Sequence, residues 1–176
     1  MLGAKGWAKV EYTRDEAGRA TSERYYDAEG ALMTLKDGYA GVDRVYDAEG
    51  NVLRITYYDA SGVPSEAAKG YATAEYGYSA AQVTFTAYYD ASGAPMIYEA
   101  GRYAMMTRVV NEKGQALSES YSDEHGQAMI NSKKGCATVV YERDEAGKVI
   151  REAYYGVDGA PLSVNGSQSV VRTYDE

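Results

Sequence analysis

Histidine and cysteine are almost absent from this sequence. The 176 residues contain one histidine, His125, and one cysteine, Cys136. A single cysteine excludes an internal disulfide framework, and a single histidine excludes any site that needs two imidazoles. Most familiar catalytic and zinc-binding constellations are thereby excluded. We therefore expect a protein that is not an enzyme and that uses no cofactor and no metal.

Basic clusters and long apolar runs are missing as well. The formal net charge is −8, from 26 acidic and 18 basic residues, and the basic residues form no long run. Binding to a phosphate backbone or to an anionic membrane surface needs a basic face, so we expect neither nucleic acid nor a membrane as a partner. No apolar stretch approaches the ~20 residues of a membrane span, and Met1-Leu2-Gly3 does not have the form of a signal peptide.

Large aliphatic side chains are scarce. Valine, leucine, isoleucine and phenylalanine together account for 26 of the 176 residues, whereas there are 26 alanines and 19 tyrosines. A core must then be built from small residues and phenol rings. Because a buried tyrosine still needs a partner for its hydroxyl, this composition favours a thin structure in which the hydroxyls reach the surface.

A repeat of about 32 residues organises what is present. A Gly-aromatic-Ala tripeptide, or a close variant of it, opens each unit, and successive openings are 32, 32, 32 and 33 residues apart. The five openings are Gly6-Trp7-Ala8, Gly38-Tyr39-Ala40, Gly70-Tyr71-Ala72, Arg102-Tyr103-Ala104 and Gly135-Cys136-Ala137. We define five units, residues 6–37, 38–69, 70–101, 102–134 and 135–165, and a partial unit, residues 166–176.

Two turns recur inside each unit. The first is an Asp-x-x-Gly turn such as Asp47–Gly50, and the second follows a Tyr-Tyr-Asp run such as Tyr57-Tyr58-Asp59. Aspartate can hydrogen-bond the backbone ahead of it, and glycine three residues later accepts the left-handed conformation. The pattern predicts an all-β fold, in which tandem β-hairpin repeats stack as an elongated solenoid or as a continuous twisted antiparallel sheet.

The two ends of the array match interior parts of the repeat. Ala4-Lys5-Gly6 matches Ala68-Lys69-Gly70, and the partial unit stops at Tyr174-Asp175. We interpret the chain as a piece of a longer array or as one completed by self-association. The opening strand of the first unit and that of the partial unit would provide the edges.

Alternation along the strands predicts which side chains share a face. If Asp47 lies opposite Asn51, then Val42 faces Thr56 and Ala40 faces Tyr58 on a drier side of the hairpin. Tyr58 and its equivalent Tyr89 are then core residues. The wetter side carries the aromatic residue in the middle of each opening tripeptide and the first tyrosine of each Tyr-Tyr-Asp run. These candidate ligand-binding residues are Trp7, Tyr25, Tyr39, Tyr57, Tyr71, Tyr88, Tyr103, Tyr121 and Tyr154, and Cys136 takes the aromatic place in the fifth unit.

Flat rings at a regular spacing suit a glycan, because the C–H faces of sugars stack on aromatic rings. The alternative is that the same rings form a buried ladder between units. Other candidates have simple structural explanations. His125 lies in a turn, Cys136 occupies an aromatic slot, and acid pairs such as Asp15-Glu16 lie in turns, although calcium binding there stays open. A stripe of Arg and Tyr, for example Arg14 and Tyr12, predicts cation–π pairs.

The repeat resembles two groups of tyrosine-rich tandem repeats from cell-surface proteins. Tyr26-Asp27-Ala28-Glu29-Gly30-Ala31-Leu32-Met33-Thr34 resembles the cell-wall-binding repeats of the choline-binding, glucan-binding and toxin types. Tyr46-Asp47-Ala48-Glu49-Gly50-Asn51-Val52 resembles the YD repeats of Rhs and teneurin proteins. The first resemblance implies stacked hairpins that bind sugars or choline, and the second implies hairpins that wind into a shell. Both imply a location outside the cell or at its surface.

From these observations we expect a non-catalytic repeat module of a bacterial surface or secreted protein, which binds glycan or cell-wall polymer through its aromatic face. The alternatives are a spacer or shell segment and a self-assembly module, each with no ligand of its own.

Overall fold

Strands are the only regular elements in the part of the chain that the computed structural model describes, residues 6–173. Eleven antiparallel strands follow one another in chain order within one sheet. They are β1 Lys9–Arg14, β2 Ala20–Tyr26, β3 Gly41–Tyr46, β4 Val52–Tyr58, β5 Thr73–Ser79, β6 Gln82–Tyr89, β7 Met105–Val110, β8 Ala116–Ser122, β9 Thr138–Arg143, β10 Val149–Tyr155 and β11 Ser169–Val171. Over these residues, no helix with the length and apolarity of a membrane span occurs.

The predicted all-β hairpin array is confirmed, in the form of a sheet. Each sequence repeat contributes a hairpin, and a shorter strand pairing joins each hairpin to the next one. Hairpin β3–β4 has six residue pairs, from Gly41 opposite Tyr58 to Tyr46 opposite Val52. The junction between β2 and β3 has three pairs, and the junctions β4–β5, β8–β9 and β10–β11 have three each. Junctions therefore depend more on side-chain contacts than hairpins do.

The chain divides into two compact units. One runs up to Tyr76 and includes Tyr88–Met96, and the other comprises Gly77–Ala87 and the chain from Ile97 onward. The first contains β1–β4, the second contains β7–β11, and β5 and β6 contribute residues to both. The boundaries drawn for the five repeats stay a prediction, and the matches at Ala4-Lys5 and Tyr174-Asp175 lie outside the described residues.

The Asp-x-x-Gly turns have the predicted geometry. The Asp47 N–H donates to the Asn51 carbonyl at 3.0 Å, and the Gly50 N–H donates to the Asp47 carbonyl at 3.2 Å. The side chain of Asp47 accepts the Asn51 N–H at 2.7 Å, and Gly50 has a φ of 92°. A side chain at Gly50 would be strained by that left-handed φ, so the sequence pattern and the turn type agree.

The predicted register is correct beside this turn and wrong farther from it. Tyr46 lies opposite Val52 as predicted. Between Tyr46 and Val45 the pairing shifts by one residue, so that Val45 lies opposite Arg54. Beyond that β-bulge, Val42 faces Tyr57 rather than Thr56. A shift of one residue moves every later side chain of one strand to the other face. The predicted assignment of the two faces is therefore inverted for β4.

Small residues account for most of the fully buried positions. Ala40, Ala72 and Ala104 are fully buried, and Ala137 is 1% exposed. Each of these alanines directly follows the aromatic or cysteine position that opens a unit. The Tyr57 N–H donates to the Ala72 carbonyl at 2.9 Å. The buried tyrosine of one hairpin therefore lies beside the buried alanine of the next hairpin at the β4–β5 junction. The expected core of alanines and phenol rings is confirmed.

Candidate functional site: the aromatic ladder

Six of the nine candidate aromatics lie in contact, one after the next, in the first compact unit. Consecutive ring centroids are 4.9–6.1 Å apart with interplanar angles of 45–72°, the range of tilted and edge-to-face pairs. We call this series the aromatic ladder. Its rings, in order, are Trp7, Tyr25, Tyr39, Tyr57, Tyr71 and Tyr88.

The second compact unit has a shorter form of the same arrangement. The rings of Tyr103 and Tyr121 are 5.5 Å apart at an angle of 37°. The next aromatic slot holds Cys136, which is fully buried. Burial raises the pKa of its thiol, which disfavours the reactive thiolate. The ninth candidate, Tyr154, is half-buried on β10.

Burial contradicts the prediction that these aromatics lie on a water-exposed face. Tyr25, Tyr57, Tyr71, Tyr88 and Tyr121 are only 4–9% exposed. The other four candidates, Trp7, Tyr39, Tyr103 and Tyr154, are half-buried. Because of this bulge, Tyr57 is on the drier face, and hairpin β1–β2, which contains Tyr25, has an equivalent bulge between Thr13 and Arg14.

The second tyrosines of the Tyr-Tyr-Asp runs were predicted as core residues, and this prediction is also wrong. Tyr58 and Tyr89 are half-buried on the opposite face of the sheet. The Arg24 guanidinium lies 4.4 Å from the ring centroid of Tyr58 and donates to Asp43 at 2.7 and 3.1 Å. The Tyr89 hydroxyl donates to Glu75 at 2.9 Å. These tyrosines form a polar row rather than a core.

Glutamates placed two residues before three of the candidate tyrosines supply hydrogen-bond partners that the sequence pattern alone did not reveal. The hydroxyls of Tyr25, Tyr121 and Tyr154 donate to Glu23, Glu119 and Glu152 at 2.5, 2.8 and 2.9 Å. The signal was present in the sequence as Glu-x-Tyr, which recurs in the first, fourth and fifth units. The predicted register places these tyrosines on the wetter side, where a hydroxyl needs no partner from the protein.

An arginine that lies on a neighbouring strand, or directly after one, pairs with each of these glutamates. Arg44 donates to Glu23 at 2.5 Å across the β2–β3 junction, and Arg108 donates to Glu119 at 2.7 and 2.9 Å within hairpin β7–β8. Arg172 lies 2.6 Å from Glu152 across the β10–β11 junction. Through its glutamate, each tyrosine hydroxyl is thus connected to a neighbouring strand.

Glu119 shows the electrostatic consequence most clearly because it is 8% exposed. Burial acts to raise the pKa of its carboxyl, but the hydrogen bonds from Tyr121 and Arg108 outweigh burial and lower it. Burial and the Glu119 carboxylate raise the pKa of the Tyr121 hydroxyl. The pair is therefore fixed as a carboxylate and a neutral phenol at neutral pH.

The remaining candidates are His125, the acidic residues of the turns, and the Arg and Tyr stripe. His125 is exposed in its turn, where its backbone N–H donates to the side-chain carboxylate of Asp123 at 2.9 Å. Across residues 6–173, no three His, Cys, Asp or Glu side chains lie close enough to hold a metal ion. Of the predicted cation–π pairs, Arg14 with Tyr12 and Arg143 with Tyr141 are observed, at 5.1 and 5.9 Å.

Comparison with known proteins adds little. No family model matches the chain, and no curated protein matches it. Among solved structures, the chain is similar to the Photorhabdus luminescens Tc holotoxin pore, with 15% sequence identity and a TM-score of 0.32. That similarity covers 82% of this chain and 7% of the pore chain, so the chain spans a small fraction of the neighbour's length. Evidence for a function therefore comes from the residues of this chain.

Proposed function

We propose that the chain is a non-catalytic structural module, a scaffold or shell segment in which the aromatic ladder joins neighbouring strands instead of binding an external ligand. The observation that carries this proposal is the burial of the first tyrosines, with Tyr57, Tyr71 and Tyr88 only 8–9% exposed. A sugar can stack only on a ring face that it can reach. Rings already packed against one another do not offer that face.

Side chains at the junctions support the same function. A junction of three residue pairs gains little from backbone hydrogen bonding compared with a six-pair hairpin. Ladder rings cross these junctions, as Tyr25 with Tyr39 and Tyr57 with Tyr71 do, at 6.0 and 6.1 Å. Aromatic pairs contribute roughly 0.5–1.5 kcal/mol each beyond the area they bury. The ladder thus holds consecutive hairpins together, which is what a scaffold requires.

Glycan binding through the nine aromatics is the function that this proposal replaces. A location outside the cell belongs to the proposal, because both groups of repeats that the sequence resembles come from cell-surface proteins. The resemblance to YD repeats supports a shell-like role, and the resemblance to cell-wall-binding repeats supports a glycan ligand.

A binding assay with a matched variant tests the proposal. We expect the purified chain to show no saturable binding to a glycan array or to insoluble peptidoglycan. We expect Tyr39→Ala, which removes a half-buried ladder ring, to lower stability without changing that result. Saturable binding by the folded wild type that Tyr39→Ala abolishes while circular dichroism still reports a folded protein would overturn the scaffold proposal and restore the aromatic-face hypothesis.

A further inference from the structure

The junction between β4 and β5 shows what one strand of the repeat requires from its neighbour. Arg54 lies opposite Glu75, Ile55 opposite Ala74, and Thr56 opposite Thr73. The next residue, Tyr57, donates its N–H to the Ala72 carbonyl at 2.9 Å and packs its ring 6.1 Å from that of Tyr71. The accepting strand therefore offers an aromatic residue, an alanine and, three residues after that alanine, a glutamate.

β1 has the same sequence of accepting groups. Trp7-Ala8-Lys9-Val10-Glu11-Tyr12 aligns with Tyr71-Ala72-Thr73-Ala74-Glu75-Tyr76 without a gap. The aromatic residue, the alanine and the glutamate fall at identical positions. In β5 this edge is covered by β4, and β1 presents the equivalent edge on the side away from β2.

Nothing within residues 6–173 pairs with that outer edge. β1 pairs with β2, and the sheet order places β1 at its end. Residues 11–14 are exposed, and Tyr12 is 48% exposed. An edge strand with free backbone groups is a template for a further strand.

Trp7, the first ring of the aromatic ladder, packs against another ladder ring on one side only. Its equivalent, Tyr71, is flanked by Tyr57 at 6.1 Å and by Tyr88 at 4.9 Å. Trp7 packs against Tyr25 at 6.0 Å, the counterpart of Tyr88. In the described part of the chain, no ring takes the place that Tyr57 takes beside Tyr71.

We propose that the outer edge of β1 binds an extended strand of the β4 type, with an arginine three residues before a tyrosine. In the β4–β5 register, the arginine lies opposite Glu11, an aliphatic residue lies opposite Val10, and the tyrosine reaches Ala8 and the ring of Trp7. Backbone hydrogen bonds of strand addition supply affinity, and the side chains set the register.

Charge selects the β4 pattern over that of β2. In the β2–β3 junction Arg24 lies opposite Gly41, the position that Lys9 occupies in β1. A β2-type segment would therefore bring Arg24 against Lys9, and like charges directly opposite one another destabilise a strand pair. The β4 pattern brings a threonine to Lys9 and an arginine to Glu11. This inference is independent of whether the module has any ligand on its faces.

A titration with synthetic peptides tests the inference, with Trp7 as the reporter because it is the one tryptophan of the chain. The probe is a capped peptide of residues 51–59, Asn-Val-Leu-Arg-Ile-Thr-Tyr-Tyr-Asp, added to the full chain. We expect a saturable blue shift of tryptophan emission as the peptide tyrosine covers the indole. Amide chemical-shift changes should be confined to β1 and its turn.

Matched peptides define the contacts without altering the fold of the protein. We expect Tyr57→Ala in the peptide to weaken binding about tenfold, equivalent to about 1.4 kcal/mol. We expect Arg54→Glu in the peptide to weaken binding severalfold, and Glu11→Arg in the protein to recover it. A peptide of the same composition in scrambled order is the control.

Three outcomes overturn the inference. The first is no saturable change in Trp7 emission, and the second is equal binding of the scrambled peptide. The third is a dimer of the chain alone, detected by sedimentation, in which Trp7 is shielded and which the peptide does not dissociate. That last result would assign the edge to a second copy of the chain.

Discussion

Tyr57 and Tyr58 are neighbours in the chain but belong to different environments. Tyr57 is 9% exposed and packs between the rings of Tyr39 and Tyr71. Tyr58 is half-buried on the other face, beneath the guanidinium of Arg24. The same side chain therefore has two functions in one repeat. The first tyrosine of each run joins hairpins by packing, and the second anchors a polar network.

Truncating each of the two tyrosines in turn tests most directly whether their environments differ. We expect Tyr57→Ala to lower the free energy of unfolding by about 3–5 kcal/mol, because it removes a buried ring and leaves a cavity between two others. We expect Tyr58→Ala to cost about 1–2 kcal/mol, because water already reaches that side. Urea denaturation of both variants measures the difference. Equal losses, or a larger loss for Tyr58→Ala, would show that the faces are assigned incorrectly.

Alkaline pH provides a second contrast. Burial raises the pKa of Tyr25, Tyr57, Tyr121 and Tyr141, so the folded state keeps these phenols neutral. Their contribution to stability is complete below pH ~10, where unfolded tyrosine ionises. Above that pH, unfolding releases protons that the folded chain retains, and stability falls by about 1.4 kcal/mol per pH unit for each such tyrosine.

Absorbance of tyrosinate and circular dichroism, followed together from pH 8 to 13, check this expectation. We expect Tyr25, Tyr57, Tyr121 and Tyr141 to ionise only in the transition that unfolds the protein. We expect Tyr121→Phe to make the decline of stability with pH shallower, because one retained proton is removed. Ionisation of all 19 tyrosines in one step before any loss of structure would contradict the assignment.

Tyr→Phe substitutions compare a buried tyrosine with a tyrosine of the polar row, because they remove only the hydroxyl and leave the packing of the ring almost unchanged. Tyr121 and Tyr89 each donate to a glutamate, at 2.8 and 2.9 Å, but Glu119 is 8% exposed and Glu75 is half-buried. Tyr121→Phe leaves a buried carboxylate with one partner fewer, so we expect a loss of about 1–3 kcal/mol. We expect Tyr89→Phe to cost about 0.5 kcal/mol, because water replaces the lost donor. Thermal unfolding of the two variants decides, and similar shifts would refute the difference in burial.

The smallest expected effect concerns the polar row itself. Arg24→Ala removes the cation–π contact with Tyr58 and the ion pair with Asp43, whose side chain is 37% exposed. We expect a loss of about 0.5–1 kcal/mol at low salt, which shrinks as salt screens the ion pair. Arg24→Gln serves as the control that keeps the first methylene groups of the side chain and removes its charge. A loss as large as that of Tyr57→Ala would mean that the polar row is part of the core.

Some features could be predicted from the sequence because they depend on local chemistry. Asp47 and Gly50 predict their turn, since one bonds the backbone ahead and the other accepts a left-handed φ. The spacing of such turns predicts the hairpins, and the shortage of large aliphatics predicts the alanine and tyrosine packing. None of these predictions needs knowledge of a distant residue.

The choice of buried face could not be obtained in that way. The bulge between Val45 and Tyr46 adds one residue to one side of the pairing, and that single step exchanges Tyr57 for Tyr58 on the drier face. Whether such a bulge forms depends on how the two strands twist and what packs against them. The sequence by itself therefore determined the repeat, its turns and its strands. Only the tertiary structure decided which tyrosine is buried, because burial depends on a register that is set across strands rather than along the chain.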